Sequence, residues 1–247
     1  MKPQRSEAII LHTHPVRERD KLVVFLTADR GKRKGVAYGA RSMRSRFGAS
    51  LEPLAKVQLS WIEKESEELV RIESADLVRS LFPAQQHLAA SLAASYIAET
   101  VDTFAQAEEE SELLFRLLDR ACDALLHEAA PLLVVTYVEV WILKLGGVFP
   151  SVRNCIGCDA SLDIPLRYEA SIHGFACPDC GPRTPVLPNA VTSLLLGVLR
   201  TPVEEFATTK PDPDALFELR LFARTLRRNF LGHELKSHDV LQGVLMG

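Results

Sequence analysis

The periodicity of apolar residues changes once along this chain, at Pro83, and that change limits the architectures open to it. Before Pro83 the apolar residues fall in five short runs: Ser6–Thr13, Lys21–Thr27, Gly31–Tyr38, Leu54–Glu63 and Leu69–Leu81. They are rich in Val, Ile, Leu and Phe and are separated by polar or glycine-bearing turns. A parallel sheet needs crossover segments of a dozen residues or more, and there is no room for them here. The pattern predicts a small antiparallel β domain, and strand count and size suggest a five-stranded OB-type barrel, an architecture that binds oligonucleotides on a strand face and through its loops.

After Pro83 the spacing becomes helical. Leu88, Leu92, Tyr96, Glu99 and Thr103 recur every three to four residues, and Leu113–Leu126 carries a clear apolar stripe that includes Cys122, read as a small core residue. Pro131 opens a third helix, which Gly146-Gly147 ends. Asn189–Leu199, with Asn189 as a candidate cap, and Asp214–Phe230 supply two more. Ahead of them, four prolines from Pro178 to Pro188 disfavour regular structure. The expected class is therefore α+β multidomain: a barrel over 1–82, a helical domain over 83–148 and 188–247, and a loop-rich insert over 149–187.

Charge is segregated along the chain. The protein has a net charge of −3, yet residues 1–60 hold thirteen Lys/Arg against five Asp/Glu, and residues 98–130 hold nine acids against two bases. From Arg30 to Arg46 there are seven cations (Arg30, Lys32, Arg33, Lys34, Arg41, Arg44 and Arg46) and no acid. Such mutual repulsion is relieved by water or by a polyanion. At strand spacing Lys32 and Lys34 face one way and Arg33 the other. The loop arginines are placed to follow a phosphate backbone, and Phe47 and Tyr38 are either base-stacking platforms or core residues. Arg224, Arg227 and Arg228 on the last long helix, with Lys236 beyond it, form a second candidate basic surface. No helix-turn-helix or finger signature is present, so little sequence preference is expected. No P-loop, G-x-S-x-G, H-E-x-x-H or Rossmann glycine run appears, so neither an enzymatic activity nor a small-molecule substrate is expected. No leader sequence and no membrane-length apolar run is evident, and the expected location is the cytoplasm, in association with the nucleoid.

Cys155-Ile-Gly-Cys158 and Cys177-Pro-Asp-Cys180 form C-x₂-C-x₁₈-C-x₂-C. Two close pairs of this spacing suit one tetrahedral, structural Zn²⁺ with no open coordination position; a redox dithiol is the weaker alternative. His173 lies between the pairs as a competing ligand.

The segments GARSMRSRFGASLEPL (Gly39–Leu54) and FLGHELKSHDVL near the C-terminus, together with the two cysteine pairs, resemble the RecO family of bacterial recombination mediators. The order of parts resembles that family over nearly the full length. The resemblance implies an N-terminal OB domain, a helical domain and an inserted zinc ribbon. It further implies binding of single- and double-stranded DNA, annealing of complementary strands, pairing with RecR, contact with the single-strand DNA-binding protein, and help in loading RecA. A zinc-ribbon scaffold that binds only proteins is the alternative.

Overall fold

The computed structural model describes residues 2–63, 69–107, 109–127, 129–181 and 186–245. The chain divides into two compact units, residues 1–138 with 235–247, and residues 139–234.

In the first unit, β1 (Lys2–Val16), β2 (Asp20–Thr27), β3 (Gly31–Ala37), β4 (Lys56–Glu63) and β5 (Val70–Arg79) close a barrel in the order β1-β2-β3-β5-β4. This is the expected five-stranded OB-type barrel. β1 is longer than the sequence pattern indicates because it serves two neighbours. Its first half pairs with β4 (Ala8 opposite Val57) and its second with β2 (Thr13 opposite Val23), with a bulge between Ile10 and His12. The β4–β5 pairing shifts register between the pairs Ser60–Ser74 and Trp61–Ile72. Closure is completed by a short parallel pairing of β3 with β5, Gly35 to Val70 and Val36 to Arg71. The interior is filled by Ala8, Ile10, Val23, Phe25, Val57, Leu59, Trp61 and Ile72, and Phe25 meets Trp61 at 5.5 Å between ring centroids.

Helices α1 (Phe82–Gln85), α2 (Leu88–Phe104) and α3 (Glu112–Leu126) follow, and α4 (Pro131–Leu145) runs from the first unit into the second. Ion pairs fasten α3 to the barrel: Arg79 reaches Asp119 and Asp123, both at 2.7 Å, and Lys56 reaches Asp119 at 3.0 Å. Cys122 is fully buried in α3, and burial pushes its thiol up to about 12, as befits a small core residue.

The second unit holds two short strands, β6 (Tyr168–Glu169) and β7 (Gly174–Phe175), then α5 (Asn189–Arg200), α6 (Val203–Phe206) and α7 (Pro213–Leu231). Asn189 is the first helical residue of α5 rather than its cap; Pro188 occupies the cap position without a side-chain bond. α7 begins at Asp212, whose carboxylate accepts from the Ala215 amide at 3.2 Å, and ends at Gly232 in the left-handed conformation. Phe230, near the end of α7, is exposed. The C-terminal segment forms α8 (Lys236–Leu245), which belongs to the first unit and packs on α2. Its ten residues span fewer than three helical turns and display no clear period in the sequence. Among the described residues, no helix is long and apolar enough to cross a membrane.

Candidate nucleic-acid interface and metal centre

The loop from Tyr38 to Ala55 is a folded cap on one end of the barrel. Successive turns wind it: the Ser42 amide donates to the Gly39 carbonyl at 3.1 Å, Ser45 to Ser42 at 3.0 Å and Ser50 to Phe47 at 2.9 Å. It returns to β1 through two backbone bonds, Leu54 to Ile10 at 2.7 Å and Ile10 to Ala55 at 3.0 Å. Phe47 and Leu51 drop into the barrel core. The same cap docks on the β1–β2 turn. Asp20 accepts the Gly39 amide at 2.9 Å, the Arg41 amide donates to the Arg19 carbonyl at 2.9 Å, and the Arg41 guanidinium donates to the carbonyls of Arg17 and Glu18, each at 3.2 Å. The hydrogen bonds make the two loops one surface.

The seven cations of the basic stretch are thereby sorted into different settings. Arg41, Arg44 and Arg46 are exposed on the cap, and Lys34 is exposed on the outer face of β3. Arg30 sits at the other end of β3 and pairs with Asp29 at 3.4 Å. Lys32 is largely covered, with its ammonium 3.2 Å from the Asp102 carboxylate and 2.5 Å from the Asp102 carbonyl on α2. Arg33, facing opposite to Lys32 and Lys34, pairs with Glu63 at 3.4 Å. The acids that engage Lys32 and Arg33 lie 70 and 30 positions away, outside any local reading of charge.

The two aromatic candidates fall on opposite sides of the core–platform alternative. Phe47 is only 3% exposed and forms part of the barrel core, so its ring is not a surface platform; Arg46 covers its outer side at 5.0 Å. The reason is that the cap must bury an apolar residue to seal the barrel end. Tyr38 is exposed, with the Arg71 guanidinium 5.7 Å from its ring centre. Sequence reasoning missed Arg17, Arg19 and Arg71. The first two stand on the β1–β2 turn under the cap, and Arg71 arrives through the β3–β5 pairing. The only signal was an arginine pair within HPVRERD.

The arginines of α7 do not form one open surface. Arg227 is fully buried and bonded to Glu139 of α4 and to Glu234. Arg224 donates to Glu234 at 2.8 Å and Arg228, which is exposed, lies 4.0 Å from the same carboxylate. Glu139 and Glu234 draw Arg227 inward, a pairing that helical spacing alone does not reveal. The Lys236 side chain is exposed at the start of α8, in the other unit.

The four cysteines of the insert come together, with their sulfurs all within 4.8 Å of one another. The Cys158 and Cys177 sulfurs are 3.8 Å apart. Four sulfurs at the corners of a tetrahedron, each about 2.3 Å from a central ion, are about 3.8 Å apart, so the cluster fits a four-thiolate site. Each pair sits on a tight turn, with Asp159 amide to Cys155 carbonyl at 2.9 Å and Gly181 to Cys177 at 2.9 Å. The Cys177 amide donates to the Cys155 sulfur at 3.3 Å and the Gly157 amide at 3.4 Å, and these bonds, the first above all, hold the Cys155 thiol down to about 6. The neighbouring Cys158 thiol, with Cys177 and Cys155, pushes Cys180 up to about 12. Four sulfurs this close ionise together only around a cation. A methyl at Gly157 would lie 3.1 Å from the Cys180 sulfur, so a side chain there would crowd the cluster. His173 is exposed in a left-handed turn and is not among the clustered ligands.

The family model for the N-terminal part of recombination protein O matches residues 1–81, and the one for the C-terminal part matches residues 85–239. The chain belongs to the RecO family. It is 32% identical over 242 residues to the DNA repair protein RecO of Koribacter versatilis (strain Ellin345), covering 96% of this chain and 98% of that one. It is 31% identical to that of Syntrophus aciditrophicus (strain SB) and 29% to that of Anaeromyxobacter sp. (strain K), covering 97% of this chain in both cases. The barrel that carries the cationic cap coincides with the RecO N-terminal match, and the helices and cysteine cluster with the C-terminal one.

Proposed function

We propose that this RecO-family DNA repair protein binds single- and double-stranded DNA, with little sequence preference, at the capped end of its barrel. Residues 1–82 are the DNA-binding domain, 83–148 with 188–247 the helical body, and 149–187 a zinc-ribbon insert. The observation that carries the reading is the cap itself: Arg41, Arg44 and Arg46 are exposed on a loop fixed by its own core residues and bonded to the turn bearing Arg17 and Arg19. A fixed array of guanidiniums meets phosphates without a large ordering cost. Lys34 extends the array along β3, and Tyr38 with Arg71 offers a stacking position beside it. Such a surface screens the repulsion between two phosphate backbones, so that complementary strands approach and anneal. No bond is made or broken in this process, and no enzymatic step is involved. In the cell the protein acts with RecR and the single-strand DNA-binding protein to assist RecA loading at the nucleoid. The ribbon's ion is a single Zn²⁺, held by Cys155, Cys158, Cys177 and Cys180, and it cross-links the insert.

A salt titration of binding to a labelled single-stranded oligonucleotide tests the reading. Neutralising on the order of five phosphates gives a log–log slope of roughly −3.5 for a single strand and −4.5 for a duplex. Arg41→Glu, Arg44→Glu and Arg46→Glu together should remove binding at moderate salt and stop annealing. Annealing that survives the triple reversal rejects the cap as the working face. Binding that is absent or indifferent to salt in the parent protein rejects DNA binding altogether and favours a protein-only scaffold.

A further inference from the structure

The outer edge of β3 is only half covered by strand. β5 reaches it at Gly35 and Val36, and the N-terminal half is bordered instead by the connection between α2 and α3. Lys32 forms a parallel bridge with Ala107, and its amide donates to the Gln106 carbonyl at 3.4 Å. The Ser111 amide donates to the Ala28 carbonyl at 3.1 Å, and the Ser111 hydroxyl to the Glu109 carbonyl at 2.8 Å. Between these points the backbone of Glu109 presses on Gly31, where any side chain would overlap it. The described residues of this connection therefore border the start of β3 and the β2–β3 turn, beside backbone groups that the barrel strands do not cover.

The charge of this segment complements the strand. Glu109, Glu110 and Glu112 are exposed carboxylates, and Asp102 at the end of α2 already holds Lys32. The strand beside them carries Lys32 and Lys34 on its outer face. Among the described residues, backbone bonds at Lys32 and Ser111 and the close approach of Glu109 to Gly31 hold the connection there. We infer that the acidic connection between α2 and α3 is an internal competitor, a run of carboxylates that occupies the β3 edge of the nucleic-acid face, which a polynucleotide must displace or outcompete. This rests on the DNA-binding reading above. Its consequence is that weak encounters are rejected, and that a strand is held along β3 only where it also engages the cap.

The test compares the full-length protein with Glu109→Gln/Glu110→Gln/Glu112→Gln by fluorescence anisotropy on a labelled oligothymidylate. A control, Glu205→Gln/Asp214→Asn/Glu218→Gln, changes net charge equally on exposed sites of the other unit. The strap variant should bind about three- to tenfold more tightly at low salt, with the gain shrinking as salt rises. The control should gain less than twofold. Equal affinity of parent and strap variant, or an equal gain in the control, overturns the inference while leaving DNA binding intact. A parent that does not bind overturns the DNA reading itself. Hydrogen exchange supplies a readout that needs no substitution: saturating oligonucleotide should speed exchange of the Ser111 amide, and slower or unchanged exchange refutes displacement.

Discussion

Phe47 separates two accounts of the cap, and its substitution by leucine distinguishes them. The ring is 3% exposed among Ala8, Leu51, Ala55 and Trp61 of the barrel core, and Arg46 lies over it at 5.0 Å. Removing it to alanine should cost about 3–5 kcal/mol of barrel stability from lost burial and the cavity left behind. Losing the guanidinium contact adds about 0.5 kcal/mol. Leucine refills most of the space, and its cost should be about 1–1.5 kcal/mol. Trp61 sits in the same core, so its fluorescence in a Trp141→Phe background reports barrel unfolding in urea. With a slope of about 1 kcal/mol/M for a domain of this size, leucine should move the midpoint by about 1 M and alanine by 3 M or more. Oligonucleotide affinity of Phe47→Leu should stay within about twofold of the parent, because the ring supports the loop and does not meet a base. A stacking ring would instead be worth about 1–3 kcal/mol per base, or roughly five- to 150-fold in affinity. A leucine variant with parental stability and at least tenfold weaker binding would refute the burial argument.

Three further outcomes follow from the geometry. The protein should carry one zinc per chain by metal analysis, released by a thiol-specific mercurial, and Cys155→Ser should lose the ion and destabilise the 139–234 unit. Glu139→Ala removes a bonded carboxylate from the buried Arg227 and should destabilise that unit by about 3–5 kcal/mol, read by Trp141 fluorescence, while oligonucleotide affinity at the cap is unchanged. Burial opposes ionisation of Glu99, but the Ser237 hydroxyl and the Ser237 and Lys236 amides, the latter at 2.8 and 2.9 Å, outweigh it and lower its pKa. A carboxylate lowered on folding stabilises above its ordinary range and loses that stabilisation as pH falls through the lowered value. Protection of the first α8 amides against exchange should therefore decline on acidification, and Glu99→Gln should lower it at neutral pH and abolish that dependence.

The sequence by itself determined the elements and the chemistry that is local. Short runs of branched and aromatic residues between polar or glycine-bearing turns placed all five strands, three- to four-residue spacing placed α2 and α3, and proline, glycine and cap signals bounded α4 and α5, because burial and chain breaks both leave local marks. The spacing of Cys155, Cys158, Cys177 and Cys180 announced a four-sulfur site, since two residues between ligands suit a turn around one ion. Elements too short or too weakly patterned to show a period (α1, α6, α8 and the two short strands of the insert) were not legible. What tertiary structure alone decided was which cations and rings face water. Lys32, Arg33 and Arg227 read as surface charges until Asp102, Glu63 and Glu139 arrive from distant positions and Glu234 turns back from beyond the end of α7. Phe47 reads as either a platform or a core residue until the cap folds back over the barrel, and Arg17 and Arg19 join the cationic array only through hydrogen bonds to that cap. A side chain's environment is set by what packs against it, and here those partners come from β strands and helices tens of residues away.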